Sequence, residues 1–308
     1  MGSNEARYRD AEARYWESLD LEPSEQRLEL DDGTGVRMQR VGSGPPLLFV
    51  HGGSAAGTNW APLVARLPDR CCLLLDRPAC GLSDSPPPRT SIASFNRAAD
   101  RLLAQVLDAA GFDSVDVVAT SLGAYYAFRS AAHTPERVER LVSLGYPFGA
   151  STARLPWSMR AAAIPGMAQL SSRLPPTKPA IRMILRQLGM GPALADGRIP
   201  DEMVEWFQSL LRDTPTMRAE LRAAPSLAGP LRGQHPEAVL SPEVLGGVAA
   251  PTLLLWGADD PIGGASTAEA FAPLLPSGEL IVLDTSSHAP WVDDPATCAH
   301  HIEAFLAR

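Results

Sequence analysis

The sequence has few of the features that mark secreted, membrane-spanning or redox-active proteins. Its four cysteines, Cys71, Cys72, Cys80 and Cys298, form no Cys-x-x-Cys pair. The beginning of the chain, rich in charged residues, does not have the apolar stretch of a secretory signal. No run of 18 apolar residues is present, so we expect no membrane-spanning helix. These absences favour a protein of the reducing cytoplasm that makes no membrane contact.

Lysine is almost absent as well, because Lys178 is the only lysine among the 27 basic residues. The formal net charge is -8, and neither sign of charge is concentrated in a block. A nucleic-acid surface or a polybasic membrane anchor is therefore disfavoured. Since neither a metal-ligand cluster nor a phosphate-binding loop is recognisable, we expect no cofactor. The remaining expectation is a monomer or homodimer that acts on a small molecule.

The chain does contain a repeated alternation of apolar runs and helical periods. The apolar runs that are short enough for strands lie at 27–30, 36–41, 46–50, 70–76, 114–120, 140–145, 251–257 and 279–284. The helical periods lie at 4–18, 93–111, 122–133, 266–275 and 294–307. Most of the runs are unbroken by polar residues, as strands covered on both faces should be. The alternation predicts an α/β protein with a mostly parallel central sheet flanked by helices.

This alternation is interrupted between residues 146 and 250. The stretch contains no convincing strand, and proline and glycine divide it into several helical pieces. It is too long for a structureless loop, so we interpret it as a helical cap, or lid, inserted into the sheet domain. The predicted organisation is an N-terminal helical extension at 1–24, a core domain formed by 25–145 and 251–308, and the cap at 146–250.

Ser121 is the first candidate for a catalytic residue. It lies in "ATSLGA", where an apolar run ends and a helical period begins, at the carboxyl edge where open parallel sheets bind ligands. On a sharp strand-to-helix turn, the residues two before and two after the serine must be small, and Ala119 and Gly123 are small. The alternative is that Ser121 only caps the helix.

A nucleophilic serine needs a base, and the base needs a group that orients it. His288 follows the last predicted strand, and Asp260 follows the strand before it, so both are expected at the same sheet edge as Ser121. The chain order serine, aspartate, histidine is the order in which this kind of sheet presents a triad. Asp259 is the alternative acid. His51 directly follows another strand and could orient a loop.

Acyl transfer also requires donors for the developing oxyanion. The turn itself places the Leu122 N–H at the start of the helix. The second donor should come from a loop after a different strand, and "HGGSAAG" at 51–57 provides one, with Gly53 as first choice and Ser54 as second. A plain tight turn would explain the same glycines.

Together these motifs resemble the α/β-hydrolase superfamily, in its serine-nucleophile branch with a helical cap. The resemblance covers the chain from about residue 25 to the end. The segments that carry it are "HGG" at 51–53, "LDRPACGLSD" at 75–84, "ATSLGA" at 119–124, "LLLWGADDPI" at 253–262 and "SSHAPWVDDP" at 286–295. It implies Ser121 as nucleophile, Asp260 as acid and His288 as base. It also implies Gly53 and Leu122 as the oxyanion-hole donors.

The chain departs from the family pattern at three places. Ala119 replaces the first glycine of G-x-S-x-G, and Ala79 stands in a loop that usually has more glycine. The loop at 51–57 lacks the Pro-Gly of the branch that hydrolyses carbon–carbon bonds, which favours esters, lactones or thioesters. A serine at the nucleophile position disfavours dehalogenase and epoxide hydrolase chemistry. Cys80, near the presumed site, is interpreted as a packing residue.

The leading hypothesis is a serine hydrolase that cleaves an ester, lactone or thioester of a small, largely apolar molecule. The alternatives are a cyclase, lyase or acyltransferase of a biosynthetic pathway, a carbon–carbon bond hydrolase, and a ligand-binding protein with a vestigial triad. Candidates for substrate-binding residues are Ser54 and three aromatic cap residues, Trp157, Trp206 and Phe207. For those three aromatic residues, packing within the cap is the competing interpretation.

Overall fold

The computed structural model describes residues 2–87, 91–150, 164, 176–229 and 233–308. The strands in these ranges are β1 (Ser24–Glu29), β2 (Gly35–Val41), β3 (Pro46–Val50), β4 (Cys71–Leu75), β5 (Val115–Thr120), β6 (Val138–Leu144), β7 (Ala228–Gly229), β8 (Gly233–Gln234), β9 (Thr252–Gly257) and β10 (Gly278–Leu283). Eight of them form one sheet in the order β1-β2-β4-β3-β5-β6-β9-β10. Neighbours from β4 to β10 are parallel, whereas β2 is antiparallel to both β1 and β4.

Helices follow most of the strands. The α-helices of the described ranges are α1 (Ser3–Glu17), α2 (Ala61–Val64), α3 (Ile92–Ala110), α4 (Ser121–His133), α5 (Lys178–Gln187), α6 (Gly191–Ala195), α7 (Asp201–Asp213), α8 (Thr216–Leu227), α9 (Pro242–Gly246), α10 (Ala265–Phe271), α11 (Pro290–Asp293) and α12 (Pro295–Leu306). Short 3₁₀ turns lie at Gly57–Trp60, Pro135–Arg137, Pro236–Ala238 and Ala272–Leu274.

The parallel sheet is buried on both faces. Every residue of β5 and of β9 is buried, whereas the edge strand β1 is almost entirely exposed. Alternate residues of β3 enter different cores: Leu48 and Val50 pack with α3 and α4, and Leu47 and Phe49 pack with α1, α2 and α12. This arrangement confirms the predicted mostly parallel sheet with helices on its faces.

Local sequence explains the bounds of α3. The Ser91 side chain accepts a hydrogen bond from the Ser94 N–H, and the Ser94 side chain accepts one from the Ser91 N–H, which makes a capping box. The helix ends at Gly111, whose φ of +78° is in the left-handed region that favours glycine. Between these ends one side of the helix is apolar, and this side packs on β5 and α4.

The stretch 146–250 is largely helical where it is described. Helices α5 to α8 precede a hairpin formed by the two-residue strands β7 and β8, and α9 follows it. That hairpin was not expected, because strands this short leave no alternating pattern in the sequence. Residues 151–163, 165–175 and 230–232 lie outside the described ranges, and Trp157 is among them.

The N-terminal helix α1 is joined to the sheet by a buried ion pair. Nη1 and Nη2 of Arg37 on β2 donate to Glu12 of α1, at 2.7 and 2.8 Å, and its Nε donates to Asp76 at 2.7 Å. The Arg37 side chain is only 2% exposed. Tyr8 also donates to Glu12, at 2.8 Å. The predicted extension is therefore packed into the body of the protein.

None of the helices described is long and apolar enough to cross a membrane.

Candidate active site

Ser121 lies on a strained turn between β5 and α4. Its φ is +50°, a conformation that residues other than glycine rarely adopt. Such strain holds a serine side chain away from the backbone at the sheet edge. The hydroxyl of Thr120, the residue that precedes the helix, donates to the Leu144 carbonyl and does not cap α4. The turn is thus built as the nucleophile interpretation of Ser121 requires.

The small residues on either side of Ser121 have different surroundings. A β-carbon at Gly123 would lie 2.2 Å from the Val50 carbonyl oxygen and 2.4 Å from that of His51, so only glycine fits. Ala119, in contrast, is fully buried in the sheet core beside Val50. The methyl group of Ala119, which replaces the first glycine of G-x-S-x-G, therefore packs into the core.

His288 and Asp260 form a buried pair. Nδ1 of His288 lies 2.8 Å from Oδ2 of Asp260, and their side chains are 8% and 0% exposed. Because an ionised carboxylate only accepts, this contact requires a proton on Nδ1 and leaves Nε2 free to accept one. The Asp260 carboxylate also accepts from the N–H groups of Tyr146 at 3.0 Å and Ile262 at 2.9 Å. Asp259 is exposed, so the carboxylate at the imidazole belongs to Asp260.

The loop after β6 contacts all three candidate triad residues. The Tyr146 N–H donates to Asp260, and the Phe148 N–H donates to the Ser121 carbonyl at 3.0 Å. A β-carbon at Gly145 would lie 2.4 Å from the His288 carbonyl oxygen, and Gly145 has a φ of +68°. One short loop thus brings the ends of β5, β9 and β10 together, as expected from the carboxyl edge of a parallel sheet.

The loop after β3 passes close to the Ser121 turn. A β-carbon at Gly52 would lie 3.1 Å from Cβ of Ser121. Gly53 follows, and Ser54 has a φ of +53°. On the other side of the turn, Leu122 is in the first turn of α4, where N–H groups have no partner within the helix. The expected oxyanion donors therefore lie on two segments that flank Ser121.

His51 holds this loop through its side chain. Its Nδ1 lies 2.8 Å from the Gly52 carbonyl oxygen, and its Nε2 accepts from the Arg77 N–H at 3.0 Å. Burial, followed by the nearby Arg77 charge, holds the pKa of His51 well below its usual range. The imidazole stays neutral, as a ring that donates with one nitrogen and accepts with the other must be.

Two residues near this loop were not singled out from the sequence as functional. The Arg77 side chain donates to the His51 and Gly52 carbonyls, and Glu220 of α8 pairs with Arg77 at 3.0 Å. Arg77 lies in "LDRPACGLSD", so its place near the site could have been inferred from that motif. Glu220 has no comparable signal, because its position depends on how a cap helix packs against the body.

Two of the remaining candidates for substrate-binding residues are the cap aromatic residues Trp206 and Phe207. Trp206 is fully buried, stacks on Tyr15 of α1 at 5.8 Å and donates to the Tyr8 hydroxyl. Phe207 packs beside it in the same core. These contacts correspond to the competing interpretation, packing within the cap, rather than to a substrate wall.

Cys80 and Ala79 lie in the loop after β4. Cys80 is 1% exposed, and burial raises the pKa of its thiol far above the ordinary value, which suits a packing residue. Ala79 has a φ of +68°, which explains why glycine is usual at this point of the loop. Within the described ranges no three His, Cys, Asp or Glu side chains are grouped to hold a metal ion.

Comparisons with known proteins agree with this architecture. Over 270 residues the chain is 27% identical to a pimeloyl-[acyl-carrier protein] methyl ester esterase of Nitrosomonas europaea, which covers 84% of this chain and 95% of that protein. It is 25% identical over 276 residues to a 2-hydroxy-6-oxononadienedioate/2-hydroxy-6-oxononatrienedioate hydrolase of Cupriavidus pinatubonensis, covering 87% and 86%.

A solved structure extends the likeness to the fold. The 2-hydroxy-6-oxo-6-phenylhexa-2,4-dienoate hydrolase of a Rhodococcus species superimposes with a TM-score of 0.75 at 20% identity, over 94% of this chain and 100% of that one. A family model for the α/β-hydrolase fold matches residues 45–295. This protein therefore belongs to the α/β-hydrolase family.

Proposed function

We propose that this protein is a serine hydrolase that cleaves an ester, lactone or thioester of a small, largely apolar molecule. It would act without a cofactor, in the cytoplasm, as a monomer or homodimer. The observation that carries the proposal is the buried His288–Asp260 pair, 2.8 Å apart, at the same sheet edge as the strained Ser121 turn.

The mechanism follows from the roles of these groups. Ser121 Oγ attacks the substrate carbonyl while His288 accepts its proton at Nε2, and Asp260 holds the imidazole in the required tautomer. The N–H groups of Gly53 and Leu122 stabilise the oxyanion. His288 then protonates the leaving group, which departs and leaves an acyl group on Ser121. A water molecule, deprotonated by His288, releases the acid and restores the serine.

Carbon–carbon bond hydrolysis is the second candidate. It is supported by the likeness to the Cupriavidus pinatubonensis hydrolase, which is named for oxo-dienedioate and oxo-trienedioate substrates. The loop "HGGSAAG" at 51–57 favours the ester hypothesis, because it lacks the Pro-Gly expected of that branch. Parallel assays on p-nitrophenyl esters, lactones, thioesters and 2-hydroxy-6-oxo-dienoates would separate the two.

The first test is labelling with a fluorophosphonate, followed by location of the modified peptide by mass spectrometry. We expect label on Ser121 in the wild type and none in Ser121→Ala. Turnover by Ser121→Ala should fall by roughly 10³-fold or more, since only binding and the oxyanion hole remain. Ser91→Ala is the matched control, because Ser91 also begins a helix but only caps it.

A wild type that folds, takes up no label and turns over none of the panel would contradict the proposal. Ser121→Ala activity within a few-fold of the wild type would remove Ser121 from the mechanism. Where turnover is found, the reaction is repeated in ¹⁸O-labelled water. Incorporation into the acid product supports hydrolysis, whereas an unlabelled product points to a cyclase, lyase or acyltransferase.

A further inference from the structure

The Arg77 guanidinium donates hydrogen bonds to two successive carbonyls of the loop after β3. Its Nε donates to the His51 carbonyl oxygen at 3.0 Å, and its Nη2 donates to the Gly52 carbonyl oxygen at 2.8 Å. The Arg77 side chain is 4% exposed, so these bonds are shielded from water. Tyr126 of α4 covers the guanidinium, with Cζ 5.4 Å from the ring centroid. The arginine is therefore held in a fixed position under the loop.

The Gly52 carbonyl and the Gly53 N–H belong to the same peptide group. In a planar trans peptide these two bonds point in opposite directions, so fixing one fixes the other. Two donors hold the Gly52 carbonyl, Arg77 Nη2 and His51 Nδ1, each at 2.8 Å. Among the described residues, the Gly53 N–H itself donates to no protein acceptor.

We propose that Arg77 is a positioning residue of the oxyanion hole: its hold on the Gly52 carbonyl aims the Gly53 N–H at the oxyanion formed on the Ser121 turn. This inference rests on the proposed function, and it deepens that function by assigning what keeps the donor in place. Flexible glycines at 52 and 53 would otherwise let the peptide rotate, and a donor that is misplaced by about 1 Å can cost about 10²-fold in rate.

Charge adds to this geometric effect. Although burial alone would lower it, the neighbouring Glu220 carboxylate helps to raise the pKa of Arg77 above the ordinary arginine value, so the guanidinium remains charged. A charged donor on a carbonyl polarises the peptide and strengthens the donor at its other end. The Gly53 N–H is thus a better oxyanion donor with Arg77 in place.

Glu220 of α8 connects the Arg77 side chain to the cap. Its Oε1 accepts from Arg77 Nη2 at 3.0 Å, and its Oε2 would lie 3.4 Å from a β-carbon at Gly53. The helix that carries it, α8, is fixed at its start because Thr216 accepts a hydrogen bond from the Gly81 N–H at 2.9 Å. Glu220 therefore holds the guanidinium from the cap side while the carbonyls hold it from the body side.

The decisive variant is Arg77→Lys, which keeps the charge but cannot bond to two carbonyls and a carboxylate in one plane. With a p-nitrophenyl ester that the wild type hydrolyses, we expect kcat to fall about 10- to 100-fold and KM to stay within about threefold. Affinity for an arylboronic acid, which forms a tetrahedral adduct on the serine, should fall in parallel with kcat.

Arg129→Lys is the matched control. Arg129, whose side chain is 13% exposed, also pairs with a carboxylate, Asp100 at 2.7 Å, and lies over a tyrosine ring, Tyr125 at 5.7 Å. Its hydrogen bond to Asp100 involves neither of the two oxyanion segments. The kcat of Arg129→Lys should match that of the wild type. Arg77→Lys with wild-type kcat and boronate affinity would overturn the inference and leave the proposed function intact.

Glu220 provides a second, independent pair of variants. Glu220→Ala removes the cap-side partner and should lower kcat, whereas Glu220→Gln keeps an oxygen acceptor for Arg77 and should restore most of it. If Arg77→Lys does not fold, this pair decides: wild-type kcat in Glu220→Ala would overturn the inference. Absence of label and turnover in the wild type would instead contradict the proposed function, and the inference would fall with it.

Discussion

At the scale of single residues, His51 shows how burial fixes a protonation state. Both ring nitrogens are engaged, one with the Gly52 carbonyl and one with the Arg77 N–H. A protonated ring could not accept from the Arg77 N–H, and it would place a second positive charge beside the Arg77 guanidinium. The pKa of His51 is therefore well below its value in an unfolded chain.

This shift predicts a pH-dependent stability. The unfolded chain takes up a proton at His51 below about pH 6.5, and the folded chain does not, so the free energy of unfolding decreases as the pH falls through that value. The slope from this residue is at most about 1.4 kcal/mol per pH unit. Urea unfolding between pH 8 and pH 5 should show a shallower loss in His51→Asn than in the wild type.

The control for this slope is His133→Asn, because His133 is exposed at the end of α4. His51→Asn is expected to be less stable at every pH, since asparagine cannot make both hydrogen bonds, so the slope is the quantity to compare. Equal slopes in the wild type and His51→Asn would show that His51 takes up its proton in the folded state.

The residues of the candidate site differ in how far sequence could identify them. Ser121, Asp260 and His288 each follow an apolar run, and a parallel sheet brings the carboxyl ends of its strands to one edge. Sequence reasoning left Asp259 open because neighbouring residues follow the same strand, and only the fold shows which carboxylate reaches the imidazole. Glu220 required knowledge of how α8 packs, which local sequence does not contain.

At the scale of secondary structure elements, α1 depends on an ion pair that is almost completely buried. Although burial alone would raise it, the Arg37 guanidinium holds the pKa of Glu12 below its ordinary value, so the carboxylate remains ionised. Glu25 also approaches Arg37, at 3.4 Å, but its side chain is 39% exposed. One guanidinium thus has two buried carboxylate partners, Glu12 on α1 and Asp76 after β4, and a more exposed one, Glu25 on β1.

This arrangement predicts unequal effects of two similar substitutions. Glu12→Gln removes the charge of one of the two buried carboxylates that pair with Arg37, the other being Asp76, and should lower the free energy of unfolding by about 3 kcal/mol. Glu25→Gln removes a partly exposed partner and should cost less than about 1 kcal/mol. Chemical denaturation of both variants measures the difference, and equal losses would show that burial does not govern the strength of this network.

Element positions were predicted well where the pattern is local. The strands β2 to β6, β9 and β10 agree with the apolar runs to within two residues, and β1 begins three residues earlier than its run. The early start has a physical reason: β1 is an exposed edge strand whose first residues are polar, and they pair with β2 through their backbone. The β7–β8 hairpin was not predicted, because strands of two residues are too short to show an alternation of apolar and polar residues.

At the scale of the whole molecule, the cap helix α7 and the helix α1 share one core with the sheet. Trp206 of α7 and Tyr15 of α1 belong to the same buried cluster as Phe49 of β3 and Val118 of β5. The sequence divides the chain into extension, core domain and cap, but this cluster crosses all three. Parts that bury one continuous apolar core cannot separate without exposing it to water.

The consequence is that α7 should open together with the sheet rather than as an independent lid. In native-state hydrogen exchange, peptides from α7 and from β5 should exchange with similar free energies, close to that of global unfolding. The Trp206→Phe variant, which loses the bond to Tyr8 and part of the stacked surface, should lower both values together. If α7 instead exchanged with a much smaller free energy while β5 stayed protected, the cap would be a separate cooperative unit, and its opening would be available to admit substrate to Ser121.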